Sequence, residues 1–241
     1  MNIARIKEFS AQFPPPIYAQ EDGLLCAGGD LSPERLLAAY GLGIFPWYSE
    51  GEPILWWSPS PRCVMPLDAF HLPRRTQRIL RKQPFHLSCN TAFALVIRDC
   101  ARLRTEGTWI TNEMIYAYEE LHKLGYATSI EAWQKDRLVG GLYGVYLGRA
   151  FFGESMFHTC SEASRAALFG LVTLLRQRGA VLLDCQQETA HMTRMGAVML
   201  PRSEFSGLLQ QATHSDNADA ICSPWNASPQ WDAEHQHWIG A

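Results

Sequence analysis

The stretch that most restricts the fold of this chain runs from residue 127 to residue 185. Three strand-like runs, 127–133, 137–147 and 150–157, follow one another across the polar turn Gln134-Lys135-Asp136-Arg137 and the tight Gly148-Arg149 hairpin. Connections this short make the runs antiparallel neighbours, a meander. The period then changes. Behind Ser161, a residue type suited to an N-cap, Ala163, Ala167, Leu168, Leu171, Val172, Leu174 and Leu175 recur at helical spacing until Gly179. An apolar strand over 180–185, a short helix to about Met195 and a last strand near 197–200 complete the series. A meander followed by helix, strand, helix and strand predicts an α+β (mixed α/β) domain built on one mixed sheet.

Upstream, residues 73–82, 91–104 and 111–124 read as helices, the last capped by Thr111. Residues before 60 differ in kind. Phe13-Pro14-Pro15-Pro16, Gly28-Gly29-Asp30, Phe45-Pro46-Trp47 and Trp56-Trp57-Ser58-Pro59 break the chain into turns and short strands. They leave room for one helix, capped by Ser32 and begun by Pro33 and Glu34. The expected division is a small N-terminal α/β domain over 1–61, a larger domain over 62–211 and a loosely packed acidic polar tail over 212–241. In that tail four acidic residues meet no Lys or Arg.

Several function classes drop out. Seven cysteines, an odd count with no Cys-x-x-Cys, argue against a disulfide framework. None of the eight histidines shows paired ligand spacing, His235-Gln236-His237 lying in the polar tail, so no metal is expected. The N-terminus lacks the apolar run of a signal peptide, and nothing approaches the ~18 apolar residues of a membrane span. A cytoplasmic protein without a membrane partner is expected. The common glycine-rich phosphate loops and the Gly-x-Ser-x-Gly elbow are absent too. A net charge of −3 speaks against nucleic acid until it is divided. Residues 62–104 carry nine Lys or Arg against two Asp, which leaves the rest of the chain at −10. Within that block Arg74, Arg78, Arg81 and Lys82, with Arg75 beside them, form a basic stripe at helical spacing. It is either a solvated face or a polyanion site.

Three further clusters could carry chemistry. Gly153-Glu154-Ser155-Met156-Phe157 ends an apolar strand just before a helix. Leu182-Leu183-Asp184-Cys185-Gln186 puts polar groups at the C-terminal end of a buried strand, where α/β sheets hold their ligands. Either carboxylate alone could be a strand end or a helix cap; on neighbouring strands, Glu154 and Asp184 would face one cleft. Trp47, Trp56-Trp57 and Trp109 suit a core, or, on loops flanked by Gly and Pro, the stacking of a base, worth ~1–3 kcal/mol each.

These residues lie in ordered stretches that resemble the bacterial leucyl/phenylalanyl-tRNA–protein transferases. The stretches are Gly23-Leu24-Leu25-x-x-Gly28-Gly29-Asp30-Leu31-Ser32-Pro33, Gly43-Ile44-Phe45-Pro46-Trp47 and Pro53-Ile54-Leu55-Trp56-Trp57-Ser58-Pro59. They continue with Gly107-Thr108-Trp109-Ile110-Thr111, Leu138-Val139-Gly140-Gly141-x-Tyr143-Gly144-Val145, Phe152-Gly153-Glu154-Ser155-Met156-Phe157 and Asp184-Cys185-Gln186, so that the resemblance spans about 23–202. It implies a C-terminal domain with the GNAT-like (acyl-CoA N-acyltransferase-like) fold. The coenzyme-A loop of acetyltransferases is missing, however, and residues 161–165 stand in its place. The implied reaction moves Leu, Phe and sometimes Met from aminoacyl-tRNA to a protein with N-terminal Arg or Lys, marking it for degradation, with no cofactor.

The resemblance also implies roles. Gln186 would contact the acceptor amine, Asp184 would polarise it, and Glu154 with Asp184 would attract a cationic N-terminal residue. Trp47 and Trp109 would hold the terminal adenosine. Leu142, Phe151, Met156, Leu171 and Leu183 are candidates for an apolar aminoacyl pocket, and the basic stripe with Arg165 for the tRNA backbone. One departure concerns His158-Thr159, where many relatives read Ser-Arg and so carry one more cation; Ala163-Ser164-Arg165 keeps its charge. A GNAT-fold ligase with a non-protein acceptor and a non-catalytic tRNA-binding module are the competing readings. A monomer is expected, since no heptad or spare apolar helix face asks for a partner.

Overall fold

The computed structural model describes residues 4–6, 12–104, 107–213, 230–232 and 234–239. The N-terminal part holds β1 (Ala4–Ile6), β2 (Leu24–Gly28), α1 (Pro33–Gly41), β3 (Phe45–Pro46) and β4 (Leu55–Trp57), with the strands in the order β1-β2-β4-β3. The helix begins at Pro33, but the Ser32 hydroxyl does not cap it. Asp30 instead fixes the turn before it: its carboxylate accepts the Ser32 N–H at 2.9 Å and pairs with the buried Arg35 at 3.1 Å.

The larger part comprises β5 (Arg62–Val64), α2 (Arg74–Leu80), β6 (His86–Cys89), α3 (Phe93–Arg102), α4 (Asn112–Lys123), β7 (Ala127–Gln134), β8 (Arg137–Leu147) and β9 (Ala150–His158). It continues with α5 (Ala163–Gln177), β10 (Leu182–Gln186), α6 (Ala190–Thr193), β11 (Val198–Leu200) and α7 (Arg202–Thr213). Its seven strands run in the order β11-β5-β10-β9-β8-β7-β6. From β6 to β9 neighbours are antiparallel, β9 and β10 are parallel across α5, and β5 and β11 return antiparallel. This is the mixed α/β sheet expected, with the meander and a parallel pair bridged by a helix.

Thr111 caps α4 as expected, accepting the Met114 N–H at 3.2 Å. Ser161 does not cap α5. Glu162 holds that position in a left-handed conformation (φ 70), its carboxylate bound by Thr76 and by Arg165 at 2.7 Å each. α5 lies so close to β8 that a Cβ on Gly140 would come 2.6 Å from the Ala163 Cβ. One apolar cluster fills the space beneath α5; the other joins Tyr40 and Trp56 from the N-terminal part to Phe93, Tyr118, Tyr143 and Phe152.

Some elements escape a reading of the sequence. α7 shows its apolar face only at Phe205, Leu209 and Ala212, and β5 and β6 are too short to show a period. Of the expected tail, 214–229, 233 and 240–241 lie outside the described residues. β12 (Gln230–Asp232) and β13 (His237–Ile239) form an antiparallel hairpin against β6 and α5, while Asp216 and Asp219 lie outside the described residues.

Candidate active site

Two β-bulges build the centre of the site. β9 and β10 stay paired as far as Phe152 and Asp184, so Glu154 and Gln186 lie beyond their last rung. On its other side β9 pairs Ser155 with Tyr143 and Gly153 with Gly144, which leaves Glu154 as the extra residue of one bulge. In β10, Asp184 faces Val64 and Gln186 faces Cys63, so the extra residue is Cys185 and Gln186 turns into a left-handed conformation (φ 61). Bulges re-aim side chains at strand ends, and here two of them turn polar groups toward one space.

Glu154 is buried. It accepts from the Gln186 Nε2 at 2.7 Å and meets the Tyr40 hydroxyl at 2.8 Å and the Tyr118 hydroxyl at 3.1 Å; the phenols also touch each other, so their two protons serve two of these three contacts at a time. Burial pushes the Glu154 carboxyl up to about 7 against the pull of these three donors. Burial and the neighbouring carboxylate push both phenols well above their ordinary range, so they stay hydrogen-bond donors.

Asp184 is completely buried and does not open on the same space. Its two oxygens receive the Arg62 Nε at 2.9 Å and Nη2 at 2.7 Å, and its Oδ1 also takes the Gln186 backbone N–H at 2.8 Å. The Arg62 guanidinium is sandwiched between the Phe45 ring at 4.8 Å and the Phe205 ring at 4.7 Å. Glu154 and Asp184 thus sit on neighbouring strands, joined through Gln186.

Two cavities meet here. The first, about 400 Å³, is lined by Leu142, Phe151, Met156, Leu171 and Leu183 together, and His158 is on its wall. The second, about 210 Å³, contains Trp47 and Trp109 with Glu154 and Gln186. Trp56 is in the core, and Trp57 donates its indole N–H to the Trp47 carbonyl at 2.6 Å, fixing that loop. Arg74, Arg75, Arg78, Arg81 and Lys82 lie on and just after α2, with Arg74, Arg75, Arg78, Arg81 and Lys82 reaching the surface, while Arg165 is half-buried against Glu162.

Among the described residues, one group brings metal-ligand atoms together: Asp232, His235 and His237, on the C-terminal hairpin, within 4.8 Å of one another. Hydrogen bonds account for this arrangement, since Asp232 caps the turn through the Glu234 and His235 N–H groups and binds the His235 ring at 2.8 Å. The six described cysteines are free. Sequence reasoning misses Tyr40, Tyr118 and Arg62. The tyrosines read as core positions of helices, and only Arg62, a cation leading the apolar run Cys63-Val64-Met65, signals that a buried acid must meet it.

Comparison with known proteins places the sequence in a family. The family model described as leucyl/phenylalanyl-tRNA protein transferase matches residues 64–210, and that of the family's N-terminal domain matches 29–60. A leucyl/phenylalanyl-tRNA–protein transferase of Nitratidesulfovibrio vulgaris is 53% identical over 88% of this chain and 92% of its own length. That of Syntrophotalea carbinolica is 55% identical over 83% and 88%. Among solved structures, FemX superposes with a TM-score of 0.42 at 10% identity, covering 70% of this chain and 66% of that one. On sequence, from the glycine turn at 29 into α7, this chain belongs to the leucyl/phenylalanyl-tRNA protein transferase family.

Proposed function

We propose that the two adjoining cavities hold the aminoacylated end of a tRNA and deliver Leu, Phe or Met to a protein beginning with Arg or Lys, marking it for degradation. The family makes the chain an enzyme that transfers an aminoacyl group from tRNA to protein. The observation that carries the assignment of this cleft is the shared wall: Gly153, Glu154 and Cys185 border both the apolar cavity and the aromatic one. An aminoacyl-adenosine laid across that wall puts its side chain among Leu142, Phe151, Met156, Leu171 and Leu183, its base at Trp47 and Trp109, and its ester between them.

The ester is already activated, so positioning is the larger task, worth up to ~7–11 kcal/mol, against ~10²–10⁴-fold for proton handling. Gln186 gives its amide N–H to Glu154, and a carboxylate fixes which end of an amide faces it. The Gln186 carbonyl oxygen is therefore left to accept from the acceptor amine. Asp184, out of reach of substrate, acts as a positioning residue by holding the Gln186 backbone. The amine attacks the carbonyl carbon, the C–N bond forms, the bond to the ribose 3′-oxygen breaks, and the amine proton ends on that oxygen. Glu154 supplies negative charge for the cationic N-terminal side chain.

We read residues 1–61 as the N-terminal domain and 62–211 as the catalytic domain, acting as a monomer in the cytoplasm. Among the described residues no helix is long and apolar enough to cross a membrane. Incubation with labelled Leu-tRNA and an Arg-initiated peptide tests the reading. Transfer to the peptide supports it; bound tRNA without transfer would leave only a binding module, and transfer solely to non-protein amines would leave a ligase.

Two results should accompany transfer. An apolar pocket separates side chains that differ by one methylene by only ~1–3 kcal/mol, so Leu-, Phe- and Met-tRNA should all serve, with β-branched Ile rejected on shape. Equal rates for Ile-tRNA and Leu-tRNA would contradict the pocket. Replacing Arg74, Arg78 and Arg81 with Ala should weaken tRNA binding at low salt and flatten log K against log[salt] by roughly 0.7–0.9 for each phosphate no longer neutralised. An unchanged slope would take the stripe out of the interface.

A further inference from the structure

One wall of the apolar cavity holds two polar groups to which the reading above gives no work. Tyr143 on β8 is fully buried, wedged edge-on between Phe93 and Tyr118, and it lines the cavity. Its hydroxyl has no hydrogen-bond partner among the described residues. A buried hydroxyl left unpaired costs free energy, and one that borders a cavity is matched when a ligand atom fills it. Arg104, just after α3, is the second group. Its Nη2 donates to the Ser155 hydroxyl at 2.9 Å, and its guanidinium lies 5.8 Å from the Trp109 ring. Ser155 is the residue paired with Tyr143 across β8 and β9, so the two donors flank the bulge that carries Glu154. Among the described residues Arg104 is also the one Lys or Arg that lines both cavities.

On the placement of the aminoacyl donor given above, we propose that Tyr143 and Arg104 receive the carbonyl oxygen of the aminoacyl ester as it becomes an oxyanion. An ester spanning the shared wall puts its carbonyl carbon beside Glu154 and Gln186, where the amine arrives, and leaves its carbonyl oxygen to the two donors that flank the bulge. As the C–N bond forms, the carbonyl π pair moves to oxygen and meets the phenol and the guanidinium. When the pair returns, the bond to the 3′-oxygen breaks. Neither donor gives up its proton. Such donors act on the transition state more than on the bound ester, so their loss should appear in kcat and leave KM nearly unchanged.

The experiment uses the full chain, an Arg-initiated peptide and two donors: Phe-tRNA, and a phenylalanyl ester of adenosine that carries no phosphate. Tyr143→Phe removes only the unpaired hydroxyl, so it should melt at or above the temperature of the unsubstituted chain. It should nonetheless lose about 10²-fold in kcat with both donors, and Arg104→Ala should lose a similar factor. Arg104→Lys, which keeps one charged donor, should recover part of the Arg104→Ala loss with both donors. Tyr143→Phe transferring at the full rate would overturn the inference. So would an Arg104→Ala defect confined to KM for Phe-tRNA and absent with the phosphate-free ester, which would make Arg104 a phosphate ligand. Failure of the unsubstituted chain to transfer from either donor would overturn the placement of the donor itself, a result distinct from these.

Discussion

Asp184→Asn should cost the chain roughly 3–5 kcal/mol of stability and most of its transfer rate, although the side chain never meets substrate. The physical reason is Arg62. Its guanidinium and the Asp184 carboxylate are both almost wholly excluded from solvent, joined by two parallel hydrogen bonds. Neutralising the acid leaves a cation between Phe45 and Phe205, with one of its nitrogens, Nη1, already without a partner among the described residues. The two ring contacts are present with or without the acid, so they offset none of the difference. The same carboxylate holds the Gln186 N–H at 2.8 Å; an Asn that keeps this bond turns its NH2 against the Arg62 Nη2, and one that turns the other way loses it, so the left-handed turn that presents the Gln186 amide is loosened.

Stability and rate can be separated. In the double variant Arg62→Met/Asp184→Leu an apolar pair replaces the ion pair, and such exchanges are often neutral or stabilising by about 1–4 kcal/mol. Denaturant midpoints should therefore return toward the unsubstituted value while single-turnover transfer stays low, because Gln186 has lost the acceptor for its backbone N–H. Full transfer by the double variant would show that Asp184 does nothing for Gln186. An Asp184→Asn chain with unchanged midpoint and rate would show that the ion pair supports neither the fold nor the reaction.

The meander and the central helix are legible in the sequence because β7 to β9 are long apolar runs parted by short turns and α5 repeats its helical period over four turns. The cap of α5 is not, because the choice between Ser161 and Glu162 is made by Thr76 and Arg165, one of them 86 positions away. The placement of the two carboxylates follows from their strand ends. What each one does depends on the bulges at Glu154 and Cys185, and a bulge shifts the alternation by one residue without any mark in composition. Their places at the ends of neighbouring strands put Asp184 and Glu154 in one cleft; the structure turns Glu154 and Gln186 into it and leaves Asp184 behind with Arg62. Tyr40 and Tyr118 are invisible as site residues for another reason. A phenol on the buried face of a helix packs like Phe, and only its partner across the core gives its hydroxyl a use.

Glu154→Gln should make the chain a slower enzyme and, above neutral pH, a more stable protein. Burial raises the Glu154 carboxyl from 4.5 to about 7. Between those two values the folded chain binds a proton that the unfolded chain has lost, so stability falls as pH rises and the whole loss is in place above pH 7. At 1.36 kcal/mol per pH unit the difference amounts to roughly 3 kcal/mol. A neutral amide at this position carries no such penalty and can still accept from Tyr40 or Tyr118. The advantage of the Glu154→Gln chain in unfolding free energy should be near zero at about pH 4.5 and reach about 2–3 kcal/mol at about pH 8. Transfer should move the opposite way. For the unsubstituted chain kcat/KM should climb through about 7 as Glu154 ionises. It should climb again as the acceptor α-amine, at ~7.7–8.0, loses its proton. The Glu154→Gln chain should be slower by about 10²-fold on an Arg-initiated acceptor and keep only the upper limb, because the amine titrates regardless of the enzyme. A variant that kept both limbs would place the lower one on another group. A stability difference that did not change across that pH range would mean that the buried carboxylate is not the group under strain. If both shifts occur together, the acid that draws the substrate in is held at a cost to the fold, and its ionisation sets the lower pH limit of the reaction.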